Sequence, residues 1–152
     1  MLKICIDGDG CPVVDETIAV AQSFGLEVII FCDTSHEIVR EGAVTVTVSK
    51  GSDSADFALV NKVNKGDIVV TQDYGLATMV LAKKGFCMDQ NGREYTNENI
   101  DLLLNIRHIN KKIRQGGGRT KGPKKRAKDA NELYKKKFRQ FCEQIILIDK
   151  ID

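Results

Sequence analysis

Between residues 2 and 88, short β-branched runs alternate with segments of helical period, and this alternation restricts the fold more than any other feature of the chain. Leu2-Lys3-Ile4-Cys5-Ile6 reads as a short buried strand. Residues 13–24 then place Val13, Ile18, Ala21 and Phe24 among polar positions, as an amphipathic helix does, with Gly25 as its C-cap. Residues 27–32 read as a second buried strand. Valine alternating with threonine over 43–48 makes a third, suited to a sheet edge. A helix is expected from near Asp53 through Phe57, Leu59 and Val63, ending at Gly66. Residues 67–71 form a fourth strand, 76–84 a helix with an Ala77, Val80, Leu81 face, and 86–88 a fifth strand. Strands and helices of these lengths predict parallel βαβ units, hence a mostly parallel central sheet in a three-layer α/β sandwich. Right-handed crossovers then bring successive strand ends to one edge.

The rest of the chain is helical and basic. Residues 97–115 carry Ile100, Leu103, Leu104, Ile106 and Ile109 at helical spacing, and Gly116-Gly117-Gly118 breaks the pattern. A basic, glycine-containing loop follows over 119–126. A closing helix over 129–148 is expected to turn Leu133, Phe138, Phe141, Cys142 and Ile145 inward. The length of 152 residues fits one domain over 1–152. The net charge of +2 conceals two halves. Residues 1–106 hold 8 Lys and Arg against 16 Asp and Glu, a net of −8, whereas residues 107–152 hold 15 against 5, a net of +10. An acidic body can hold cations, and a basic tail can hold phosphates. No apolar run reaches the roughly 18 residues of a membrane span. The five cysteines are odd in number, widely spaced and free of any Cys-x-x-Cys, which predicts a cytoplasmic protein without a disulfide framework or zinc knuckle.

The acids fall at particular places in this scheme. Asp7 and Asp9 sit in Asp7-Gly8-Asp9-Gly10-Cys11-Pro12, at the carboxyl end of the first strand, where ligands bind in open α/β sheets. Pro12 suits the first turn of the following helix. Two carboxylates this close repel unless a positive charge lies between them. A polar turn with solvated aspartates accounts for the same four residues. Asp53 and Asp56 share a face in the first turn of a helix, where Asp53 also suits an N-cap. Asp73 follows the fourth strand and is able to cap the next helix. Capping explains each acid singly and predicts no convergence, whereas strand ends and helix starts of one α/β sheet can converge. Such a cluster around Mg²⁺ or Mn²⁺ suits phosphodiester hydrolysis.

Asp7-Gly8-Asp9-x-Cys11-Pro12, Gly51-x-Asp53-x-Ala55-Asp56, Thr71-x-Asp73-x-x-Leu76-Ala77 and Gly118-Arg119-Thr120-x-Gly122-Pro123, in this order, resemble the bacterial YaiI/YqxD family of unknown function. That family is similar to PIN-domain-like proteins, the metal-dependent ribonuclease fold of toxins and flap nucleases. The resemblance implies a PIN-like sandwich and an acidic nuclease-like site. It assigns the strand-end acid to Asp7, with Asp9 beside it, the helix acid to Asp56 or Asp53, and the Thr-x-Asp acid to Asp73. Tyr74, Gly75 and Leu76 follow where that fold usually carries a further acid.

Other residues bear on the chemistry. Cys11 precedes a helix start, but the neighbouring carboxylates oppose a thiolate, so a packing or turn role is expected. His36, after the second strand, can contact a phosphate or move a proton at the same edge. His108 is expected at the surface. The basic run from Arg107 to Arg126 has no aromatic residue for base stacking, which leaves phosphate contact as its chemistry. Within it, Arg119, Thr120 and Lys121 are expected beside the acidic cleft, holding a substrate phosphate, unless the loop is only a linker between two helices. RNA or another nucleic-acid backbone is the natural partner if the acidic site cuts phosphodiesters, and ribosomal RNA or an acidic protein would serve the basic run equally well. Two alternatives remain at this stage. One is a haloacid-dehalogenase-like phosphatase with Asp7 as nucleophile and Asp9 as acid/base. The other is a non-catalytic RNA-binding module. The oligomeric state is left open.

Overall fold

The computed structural model of the chain describes residues 1–51, 54–119 and 125–151. Among them are the strands β1 (Lys3–Asp7), β2 (Glu27–Asp33), β3 (Val44–Val48), β4 (Ile68–Val70), β5 (Phe86–Met88) and β6 (Glu94–Tyr95). The helices are α1 (Val14–Phe24), α2 (Ser54–Lys62), α3 (Tyr74–Ala82), α4 (Asn97–Gln115) and α5 (Ala130–Ile151). The strands form one sheet in the order β3-β2-β1-β4-β5-β6. The first five are parallel and β6 is antiparallel to β5. The expected mostly parallel α/β sandwich is therefore what forms, with the valine–threonine strand β3 at an edge.

Successive strand residues supply the two cores, because side chains alternate across a pleated sheet. Ile4 and Ile6 of β1, Val28 and Ile30 of β2 and Ile68 and Val70 of β4 pack on one face, against α1 and α5. Cys5, Ile29, Phe31 and Val69 pack on the other, with Leu59 of α2, Ala77 and Val80 of α3 and Ile100 of α4. Strands buried on both faces read as near-continuous apolar runs, as 27–32 does. Lys3 of β1 is tied to the buried Asp67 by an ion pair and by a backbone N–H bond of 3.0 Å.

The chain winds from β1 outward to β2 and β3, then returns across the sheet to β4 on the other side of β1. The carboxyl ends of β1 and β4 consequently flank the point where strand order reverses, the usual place for a ligand crevice.

Several local expectations are corrected. The strand β6 carried no readable signal, being two residues long. It forms because Tyr95 is buried beside Cys87, after a turn whose buried Asp89 accepts hydrogen bonds from the N–H groups of Asn91 and Arg93. In α5 it is Tyr134, not Leu133, that turns inward. The Tyr134 hydroxyl meets Thr17 Oγ1 at 2.7 Å, and Leu133 is exposed. Helix α1 starts at Val14, so Pro12 lies just ahead of it and not in its first turn. Helix α3 starts at Tyr74, earlier than periodicity suggested, because Asp73 caps it.

All five cysteines are free thiols. Burial pushes Cys5 and Cys142 up to about 12. Among the described residues no helix is long and apolar enough to cross a membrane.

Candidate functional site

At the carboxyl ends of β1 and β4 lies an open cleft of about 600 Å³. Its lining includes Asp7, Asp9, Asp33, Asp56 and Asp73, with Gln72, Tyr74 and Arg107. Topology thus converges acids that are far apart in sequence. Asp7 ends β1, Asp33 ends β2, Asp56 stands in the first turn of α2, and Asp73 follows β4.

Hydrogen bonds fix the floor of this cleft. Thr71, itself buried, donates its hydroxyl to Asp7 Oδ2 at 2.7 Å and accepts the Asp73 N–H at 3.0 Å. Asp73 Oδ1 accepts the N–H groups of Gly75 and Leu76, the capping role read from the sequence. Gln72 Nε2 donates to the Gly10 carbonyl at 3.1 Å, latching the β4 loop to the β1 loop. Gly8 sits where a Cβ would lie 3.0 Å from both Ile30 Cγ2 and the Phe31 carbonyl oxygen, so the turn between Asp7 and Asp9 needs glycine there. Gly10 takes a left-handed φ of 69° in the same turn.

Burial raises the Asp7 carboxyl above its ordinary pKa. The charges of Asp73 and Asp9 push it the same way, and the Thr71 bond offsets part of the rise. A cation beside Asp7 would offset both its burial and the neighbouring charges. The carboxylates facing the cleft offer hard oxygen donors, the chemistry of Mg²⁺ or Mn²⁺ rather than of a thiolate-bound metal. Among the described residues no three Asp, Glu, His or Cys side chains already stand together as an ion-holding group. The donor chemistry fits, and a bound cation would have to draw these acids closer.

The remaining site residues fall in different places. His36 is exposed, with Nδ1 3.9 Å from Asp9 Oδ1 and 4.0 Å from Asp33 Oδ1, beside the cleft rather than in its lining. Arg119 is exposed and is not among the lining residues. Asp53, Thr120 and Lys121 lie outside the described residues. Cys11 packs against the core, and burial, with Asp7 adding, pushes its thiol up to about 11, in keeping with a packing role.

Within the basic run two arginines have opposite roles. Arg107 reaches the cleft from α4. Arg126 is held as a strut: Nε donates to Asn131 Oδ1 at 2.7 Å, and its terminal nitrogens donate to Asn91 Oδ1 and the Gln90 carbonyl. Asn131 in turn donates to the Pro12 carbonyl. Arg126 joins the start of α5 to the turn before β6, which withdraws it from phosphate contact. Asp33 and Arg107 were not singled out from the sequence. Asp33 had a readable signal, since it ends a strand next to β1 just as Asp7 ends its own.

The model of an uncharacterised family of bacterial proteins, YaiI/YqxD, matches residues 5–144. The chain belongs to the YaiI/YqxD family. Relatives cover nearly all of it. A UPF0178 protein of Exiguobacterium sibiricum is 56% identical over 137 residues, 90% of this chain and 94% of that one. A UPF0178 protein of Natranaerobius thermophilus is 45% identical over 147 residues, 96% and 97% of the two chains. One from Enterococcus faecalis is 47% identical over 126 residues, 81% and 85%. No solved structure matches the chain. The match of this YaiI/YqxD member spans the whole cleft, from the strand that ends in Asp7 to Arg107 on α4.

Proposed function

We propose that the cleft is a divalent-cation-dependent phosphodiesterase site acting on RNA, carried on a PIN-like fold. One observation carries this reading: Asp7 and Asp9 at the end of β1, Asp56 of α2 and Asp73 after β4 line a single cleft at the strand-order switch point with Arg107 beside them. Asp7, Asp9, Asp56 and Asp73 would hold Mg²⁺ or Mn²⁺. When bound, such an ion activates water and stabilises the leaving oxygen of a phosphodiester.

The chain's own residues do the positioning. Thr71 fixes the Asp7 carboxylate, and the α3 N-terminus fixes that of Asp73. Arg107 offers a guanidinium to a substrate phosphate and offsets the repulsion between an acidic cleft and a polyanion. Arg119, Thr120 and Lys121 would add phosphate contacts along the backbone of the nucleic acid, and His36, with Nδ1 3.9 Å from Asp9 Oδ1, would contact a phosphate or move a proton.

The test is cleavage of single-stranded and structured RNA with Mg²⁺ or Mn²⁺. Cleavage by the wild type that is lost in Asp7→Asn and Asp73→Asn supports the site. Full cleavage by both variants sinks it. A second reading is RNA binding without cleavage, through Arg107 at the cleft. It predicts RNA affinity that survives both substitutions and no cleavage by any form.

A further inference from the structure

Helix α4 has two faces. Ile100 is buried, and Leu103 and Leu104 pack against the second core. Arg107 continues that side as far as the cleft. The other side carries Leu102, Ile106, Ile109 and Ile113, which are 60%, 47%, 49% and 43% exposed. Their spacing of four, three and four residues keeps all four in one narrow line at about 100° per residue, the a/d seam of a helix that packs against another helix. Asn105 and Asn110 border the line, and the helix is about 28 Å long at 1.5 Å per residue. Four large apolar side chains in file on one exposed helix are an interaction surface rather than scattered surface residues.

The charges of α4 say what covers it. Beside the seam stand Glu98, in the first turn of α4, and Lys112, in its last turn, both within about 100° of the apolar line at 100° per residue. A second copy crossing antiparallel about a two-fold axis sets the acidic start of each helix against the basic end of the other. A parallel crossing stacks like on like. The stripe is self-complementary in both shape and charge, the condition for an isologous interface. A membrane surface suits it less, because the apolar line is narrow and the flanking residues include asparagines and acids rather than lysine and arginine on both sides.

We propose that the chain forms a two-fold homodimer through antiparallel α4 helices, with Leu102, Ile106, Ile109 and Ile113 as the seam. Arg107 lies on the other side of α4, so both clefts stay open in the dimer. This assembly is independent of what the clefts do.

Sedimentation equilibrium of the full chain over a wide concentration range tests the proposal. The wild type should approach twice the chain mass. Ile106→Glu with Ile109→Glu should dissociate at least about 30-fold more readily, as removal of buried anchors does, with an unchanged far-ultraviolet spectrum. Glu98→Lys should weaken association at low salt, and adding Lys112→Glu to the same chain should restore it. A wild type that is monomeric at every concentration overturns the proposal. So does a dimer indifferent to the isoleucine changes, a charge pattern that does not rescue, or a monomer that instead binds anionic vesicles through this stripe.

Discussion

The Thr71 hydroxyl donates to Asp7 Oδ2 at 2.7 Å across the boundary between β4 and β1, the two neighbouring parallel strands where the strand order reverses. The same oxygen accepts the Asp73 N–H at 3.0 Å. One buried threonine therefore sets the positions of two acids that lie 66 residues apart in the chain.

Thr71→Val keeps the shape and removes both bonds. It should lower stability by about 1–3 kcal/mol, the cost of leaving buried polar partners unmatched, and Thr71→Ser should recover most of that. Urea unfolding of the three proteins measures it. Equal stability of the valine and wild-type forms would show that the hydroxyl organises nothing.

Asp7→Asn should stabilise the protein at neutral pH. The sign follows from the raised pKa: the folded protein holds this proton more tightly than the unfolded chain, so folding loses stability as the pH rises and Asp7 ionises. The asparagine keeps an acceptor for Thr71 and has no charge to bury. Its advantage should fade as the pH falls toward the ordinary carboxyl value of 3.8, where the unfolded chain also keeps the proton. Thermal unfolding across this range checks it. Saturating Mg²⁺ should raise the wild-type midpoint and leave that of Asp7→Asn unmoved; at 100-fold above the dissociation constant a site contributes about 2.7 kcal/mol.

Arg107 and Arg126 should separate cleanly. Arg107→Ala should weaken RNA binding and reduce the slope of log K against log salt by about 0.7, the share of one phosphate contact on a single strand, with stability changed by less than about 0.5 kcal/mol. Arg126→Ala should destabilise by about 1–3 kcal/mol through its three lost hydrogen bonds and leave the salt slope alone. Filter binding over a salt series, with unfolding curves alongside, distinguishes the two. The same outcome for both arginines would contradict their assigned roles.

Gly8→Ala should cost about 1–3 kcal/mol, as overpacking does. The Phe31 carbonyl that crowds the new methyl accepts the Gly8 N–H at 2.8 Å, so it cannot withdraw without breaking the junction of β1 and β2. Metal affinity should fall with it, since the turn carries Asp9 away from Asp7. Calorimetric titration with Mn²⁺ at a temperature where the variant is folded is the measurement.

Local pattern was enough for much of this protein. Continuous apolar runs at 27–32, helical spacing in the segments between strands, and glycine after α1 are written in neighbouring residues, because strand and helix periods are properties of a few consecutive positions. The alternation of those segments already implied a parallel sheet. Asp7, Asp9, Asp56 and Asp73 were legible as candidates because each sits where a strand ends or a helix starts. Their sharing one cleft was decided by the strand order, which returns the chain across β1 to place β4 beside it. Asp33 and Arg107 joined them only through that packing. The strand β6 depends on Tyr95 finding Cys87, and the inward turn of Tyr134 depends on a hydroxyl of α1, Thr17, 117 residues earlier. Arg126 looked like one more cation of a basic run until Asn131 and two acceptors of the distant turn at Gln90 and Asn91 closed around it. A sequence states what each residue is able to do. Which of those capacities is used depends on the partners that the fold brings within hydrogen-bonding distance, and those partners are remote in the chain.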